Sequence, residues 1–301
     1  MNRRFLHPRY WLIWSMYGLL WLINLLPYRL QVYLGKMLGF ILFHVAGKRR
    51  RIAETNLRLC FPELPEEERR KILKQHFMSL GISLFEFGIG YWWSDRRFGP
   101  LAHIEGLEHL DRALQKNRGA ILLAGHFTTL EIISRVLKLH RDFHPMYRKH
   151  NNPLIEHIIT SERIRYVGKV IPHDDLRSMI RSLRSNMPVL YIPDQNFGRR
   201  HSIFVPFFGI PTATVTATSR IAAIDRTPVV PIVQERLPEN RGYRLTIQQE
   251  LEDFPGDDLE EDITRINRIF EEQIRRKPVD YLWVHRRFKT RPEGEPSFYT
   301  D

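Results

Sequence analysis

Gly119-Ala120-Ile121-Leu122-Leu123-Ala124-Gly125-His126-Phe127-Thr128-Thr129-Leu130-Glu131 is the stretch whose reading decides the fold. Its first half, Ala120 to Ala124, is a short apolar run of the kind that forms a buried strand. Its second half opens an amphipathic stretch, Glu131 to Leu139, with an acid in the first turn, which predicts a helix. A strand passing straight into a helix belongs to a sheet with helices on its faces. Ligands of open α/β sheets bind outside the carboxyl ends of the strands, so His126 and Glu131 stand where chemistry is expected. The helix start beside them offers free N–H groups and a partial positive charge.

The same texture continues outward. Val189 to Ile192 and Val229 to Val233 read as further buried strands. Asn152 to Tyr166, Asp174 to Ser185 and Leu259 to Arg276 read as helices. Strands alternating with helices predict an α/β fold around a mainly parallel central sheet. Tyr243 to Gln249 alternates and predicts an antiparallel edge strand. Upstream, Pro65-Glu66-Glu67-Glu68 opens a helix through about Trp92, with proline and acids where a helix begins. Gly35, Gly39, Gly81, Gly88 and Gly90 lie in helical text and read as packing contacts.

The first residues have a different character. Tyr10 to Leu26 contains no charged residue, and Leu30 to Val45 contains only Lys36. A bilayer span needs roughly 20 apolar residues, so the first run is at the short edge, and its Trp and Tyr favour the headgroup boundary. Cations flank it: Arg3, Arg4, Arg9, Arg29 and Lys48 to Arg51. Pro27-Tyr28-Arg29 follows the run where a cleaved leader would show small residues, which predicts a retained anchor. Charge on both flanks does not decide between spanning and lying in the interface. The expected division is residues 1–47 as membrane anchor or interfacial helices and 48–301 as the catalytic domain. Lys and Arg number 46 against 34 acids, a formal net charge of +12, which attracts polyanions such as anionic membrane, phosphorylated lipid or an acidic protein. No nucleic-acid-binding motif accompanies that charge. The single cysteine, Cys60, reads as a small buried apolar residue, and no Cys/His cluster has zinc-ligand spacing.

An imidazole oriented by a carboxylate can take a proton from an alcohol, and His126-x4-Glu131 lets the loop fold back for that contact. Thr128 to Glu131 also has the pattern of a capping box, in which Glu131 only closes the helix start. Spacing alone leaves both open.

Several longer motifs add a resemblance that covers nearly the whole chain. They are His7-Pro8-Arg9-Tyr10-Trp11, Asn56-Leu57-Arg58-Leu59-Cys60-Phe61-Pro62-Glu63, His126 to Glu131, Tyr147-Arg148 with Asn151-Asn152-Pro153-Leu154, Pro193-Asp194-Gln195, Phe204-Val205-Pro206-Phe207-Phe208 and Trp283 to Gly294. In these the chain resembles the lipid A late acyltransferases, the lauroyl and myristoyl transferase family. The resemblance implies a glycerolipid-acyltransferase-like fold and transfer of a fatty acyl chain, lauroyl by expectation. The donor would be acyl carrier protein and the acceptor a hydroxyl of a primary acyl chain on Kdo2-lipid IVA, at the cytoplasmic face of the inner membrane. It makes His126 the general base and Glu131 its partner, with direct attack and no acyl-enzyme. It makes Arg148 and Asp194 substrate-binding residues, and it implies no metal and no cofactor beyond the carrier thioester. The dense basic run His285 to Arg291, with Arg286 and Arg287 as the expected substrate-binding cations, would draw the phosphates of such a lipid or an acidic carrier protein, as would Lys48 to Arg51. Other functions compatible with the residues are acyl transfer to another lipid, thioester hydrolysis, and a non-catalytic protein that binds lipid or carrier.

Overall fold

The computed structural model of the protein describes residues 3–299; residues 1–2 and 300–301, at the outer ends of the two expected segments, lie outside the described residues. Two short 3-10 turns lead into helices α1 (Trp11–Asn24), α2 (Tyr28–Val45), α3 (Gly47–Cys60) and α4 (Glu66–Trp92). After the short α5 (Asp95–Phe98) come β1 (Ala102–Glu105), α6 (Leu107–Leu114), β2 (Ala120–Leu123), α7 (Leu130–Lys138) and β3 (His144–Tyr147). The chain continues through α8 (Pro153–Val167), β4 (Ile171–Pro172), α9 (Leu176–Arg184), β5 (Pro188–Tyr191), β6 (Ser202–Phe207) and β7 (Ile210–Val215). It closes with α10 (Ala217–Ala223), β8 (Val229–Arg236), β9 (Tyr243–Ile247) and α11 (Leu259–Arg276).

Seven strands form one sheet in the order β1-β9-β8-β2-β5-β3-β4, and β6–β7 is a separate antiparallel hairpin. Strands β8, β2, β5, β3 and β4 run parallel, as the alternation of strands and helices requires. The expected α/β architecture is therefore present. Strand β2 lies in the middle, with no residue from Ala120 to Leu123 exposed, so its run is continuously apolar rather than alternating. Its inner position sends the chain out at the sheet's carboxyl edge, where β5 and β3 also end. One expectation is corrected. Strand β9 is antiparallel to β8, but it is not an edge, because β1 pairs along its other side from Ala102↔Tyr243 to Glu105↔Thr246.

Helix α2 leans on the rest of the chain through glycine. A Cβ on Gly81 would stand 2.1 Å from the Gly35 carbonyl oxygen, and one on Gly39 would stand 2.2 Å from that of Phe77. Helices α2 and α4 thus touch backbone to backbone, which only residues without a side chain allow. Tyr17 of α1 also donates to Glu162 of α8 at 2.9 Å. The outward face of α1 and α2 is apolar, with Trp11, Leu12, Met16, Trp21, Tyr33 and Met37 all exposed. At 14 residues, α1 is roughly 21 Å long. Among the described residues no single helix is long and apolar enough to cross a membrane; α2 and α3 pass that test only together, bent by 92°. Cys60 is buried, and burial pushes its thiol well up, so it behaves as an apolar core residue.

Candidate active site

Strand β2 delivers His126 to the carboxyl edge of the sheet, and the neighbouring β5 delivers Asp194 beside it. The His126 ring is held through Nδ1, 2.5 Å from Oδ1 of Asp194, while Oδ2 of the same carboxylate accepts the His126 backbone N–H at 2.9 Å. Asp194 is 1% exposed and the His126 side chain 24%. Burial opposes the Asp194 charge, but His126 and Arg287 outweigh it and hold the carboxyl below its usual range. A carboxylate is acceptor only, so Nδ1 carries the proton and Nε2 keeps its lone pair. That arrangement fits a general base.

Glu131 does not meet the ring. Its Oε1 is paired with Arg163 of α8 and its Oε2 accepts from the Tyr91 hydroxyl of α4 at 2.5 Å. Nor is there a capping box: Thr129 is the N-cap of α7 and makes no side-chain cap, while Thr128 bonds to Ser79 at 2.7 Å. Beginning the helix at Leu130 carries the Glu131 carboxylate onto the face turned toward α4 and α8. Burial opposes its charge, and Arg163 and Tyr91 override that and hold it below the usual carboxylate range. Glu131 therefore pins three helices together. Glu131→Gln should destabilise the fold by about 1–2 kcal/mol, the cost of leaving a partly buried guanidinium without its counter-charge. Arg163→Gln in the same chain should add less than it costs alone. Thermal unfolding of the double-mutant cycle measures this, and strictly additive losses would show that the pair is uncoupled.

The loop carrying His126 is fixed on every side. Gln234 of β8 donates to the Gly125 carbonyl at 2.8 Å, and the Leu282 N–H donates to the His126 carbonyl at 2.9 Å. Phe127 bridges Tyr281, and Thr128 N–H donates to the Asp280 carbonyl at 2.7 Å. The segment that follows is tied down in turn by Asn56, which donates to the carbonyls of Trp283 at 2.6 Å and His285 at 2.8 Å. His285 Nε2 accepts the Asn196 N–H at 3.1 Å, and burial lowers its ring to about 4, so it is neutral.

This decides where the other expected residues stand. Arg148 is exposed just beyond β3, on the same sheet edge as His126 and Asp194. Arg287 is not a surface cation: it is 2% exposed and donates to the Ala213 carbonyl at 2.7 Å and to Thr214 Oγ1 at 2.9 Å. Its position in an apolar interior, bonded to β7, removes it from contact with a substrate. Arg286 is half-buried over the Tyr299 ring. Beside the His126 loop lies an apolar cavity lined by Leu130, Phe143, Met146, Leu190 and Ile192, with Glu131, Tyr91 and Arg163 also on its wall. Arg163, Tyr91, Gln234 and Asp280 carry no local motif, and no spacing pointed to them.

A family model described as bacterial lipid A biosynthesis acyltransferase matches residues 1–290. The chain belongs to the bacterial lipid A biosynthesis acyltransferases. It is 40% identical over 299 residues to a lipid A biosynthesis palmitoleoyltransferase of Escherichia coli K12, covering 99% of this chain and 97% of the relative. To the lauroyltransferase of the same organism it is 39% identical over 295 residues, covering 98% and 96%. The myristoyltransferase is 29% identical over 301 residues, covering 98% and 92%. The protein is thus an acyltransferase, and the lipid A acyltransferase match reaches from the exposed N-terminal helices through the segment that pins the His126 loop.

Proposed function

We propose that this lipid A biosynthesis acyltransferase moves a lauroyl group from acyl carrier protein to a hydroxyl of a primary acyl chain on Kdo2-lipid IVA. The observation that carries the mechanism is the His126 ring anchored through Nδ1 to a buried carboxylate, with Nε2 left to accept a proton. A secondary hydroxyl is a poor nucleophile near neutral pH, while a thioester is already an activated acyl donor. His126 Nε2 takes the hydroxyl proton as the oxygen attacks the thioester carbonyl, and Asp194 stabilises the imidazolium that forms. The carbon–sulfur bond breaks, the carrier thiolate leaves, and the imidazolium returns the proton to sulfur. No acyl-enzyme and no metal enter these steps. Arg148, on the same edge and exposed, is placed to meet an acceptor phosphate. The apolar outward face of α1 and α2, with Arg29 and Lys36 on α2 and Arg9 in the turn before α1, suits the inner membrane, with the sheet edge toward the cytoplasm.

The names of the relatives do not separate donors, since palmitoleoyl- and lauroyltransferase stand within one percentage point. The experiment is direct. Membranes holding the protein receive lauroyl-, myristoyl- or palmitoleoyl-carrier protein and a tetra-acylated, Kdo-bearing precursor, and mass spectrometry reads the added chain. A gain of one lauroyl group is expected. Preference for another donor replaces lauroyl in the proposal, and no transfer from any donor overturns both donor and acceptor.

A further inference from the structure

The Asp280 side chain sits in a buried polar cluster that the chemistry above does not use. Its Oδ1 accepts from Ser79 Oγ at 2.6 Å, Arg236 Nη1 at 3.3 Å and Thr128 Oγ1 at 3.4 Å. Arg236 also grips Glu86 with two bonds, at 2.7 and 2.9 Å, and donates to Ser79 at 2.7 Å. Glu86 is 1% exposed and Asp280 6%, so both carboxylates are away from water. Two carboxylates face one guanidinium. Burial opposes the Arg236 charge, and Glu86 and Asp280 override it, so a single guanidinium is shared between two carboxylates. Thr128, two residues past His126, brings the Asp280 carboxylate against the back of the loop.

We infer that Asp280 is a positioning residue for acyl transfer, holding the His126 loop in place and lending a second buried negative charge to the protonated ring. This rests on His126 acting as the base. A hydrogen-bonded anchor alone needs only a neutral acceptor at position 280, whereas a buried carboxylate there is costly and adds charge that a neutral acceptor would not. Around the cluster, α4 supplies Glu86 and His76, which burial lowers to about 4 and leaves neutral, while α2 and β9 supply the hydroxyls of Tyr28 and Tyr243 beside Glu86 and Arg236. From β8 comes Arg236, already shared. Facing His126 itself are Asp194 from β5 and, from the C-terminal segment, neutral His285 and the buried Arg287 cation.

The test is the pH profile of kcat/KM for acyl transfer, whose acid limb reports the protonation of the free enzyme's base. Asp280→Asn keeps an acceptor oxygen and removes the charge. The imidazolium loses support, so His126 protonates at lower pH and the acid limb moves down by on the order of half a unit. Ser79→Ala removes a hydrogen bond and no charge; it should lower kcat and leave the limb where it is. Glu86→Gln, which removes a carboxylate charge at the cluster's far end, should move the limb the same way by less, and it keeps the test open should Asp280→Asn fail to fold. An acid limb unmoved in both charge variants overturns the inference. Wild type without transfer activity would overturn the proposed reaction instead, a different result read in the same assay.

Discussion

His126→Ala lowers acyl transfer by about 10²–10⁴-fold, the range a positioned general base contributes. The loss should fall on kcat, because the ring contributes a proton acceptor and no binding surface for the bulk of either substrate. The fold should survive the change. The loop is held by its backbone, through the His126 carbonyl and N–H, and alanine keeps both bonds. The measurement is transfer by purified, membrane-reconstituted protein, with thermal unfolding of the variant as control. A folded His126→Ala protein retaining more than about a tenth of wild-type kcat would show that another group takes the proton.

Asp194→Asn should fall nearly as far, for a subtler reason. The amide can place its NH2 against Nδ1 of the ring and so invert the tautomer, putting the proton on Nε2 where the lone pair is required. In a Ser-His-Asp triad the corresponding change costs about 10⁴ in kcat with the geometry intact. Here the second carboxylate oxygen also receives the His126 N–H, and an amide can serve ring or backbone but not both in the same way. Glu131→Gln gives the contrast. Its carboxylate serves Arg163 and Tyr91, so its loss should appear in stability more than in kcat. If Glu131→Gln abolished transfer in a fully stable protein while Asp194→Asn left it intact, Glu131 rather than Asp194 would be the partner of the base.

The contrast shows what the sequence could reveal. Strands β2, β5 and β8 and helices α4, α7, α8, α9 and α11 announce themselves because each is a local pattern of apolar residues and caps. Strand β9 alternates, so its antiparallel character was readable, but its inner place depends on β1, a four-residue strand with no signature. The hairpin of β6 and β7 was visible only as part of a motif. The site followed the same division. His126 stood out at the end of a buried strand. Its partner did not, because Asp194 is 68 residues away and only the β2–β5 pairing brings it alongside. Glu131 was close in sequence and in register with a plausible loop, yet one turn of helix aims it elsewhere. Arg287 sat in a conspicuously basic run, and charge density along a sequence does not say which cation turns inward.

The bond between the His126 loop and the segment around Asp280 also sets an order of events. Thr128 and Asp280 are 152 residues apart, and the chain grows from its N-terminus. While the ribosome is still reading the middle of the message, β2 and α7 have no Leu282, Tyr281 or Asp280 to lean on, and the imidazole has no fixed direction. Helices α1 to α4 are made before either partner of that bond, and the base gains its fixed direction only when the last residues of the catalytic segment have been added.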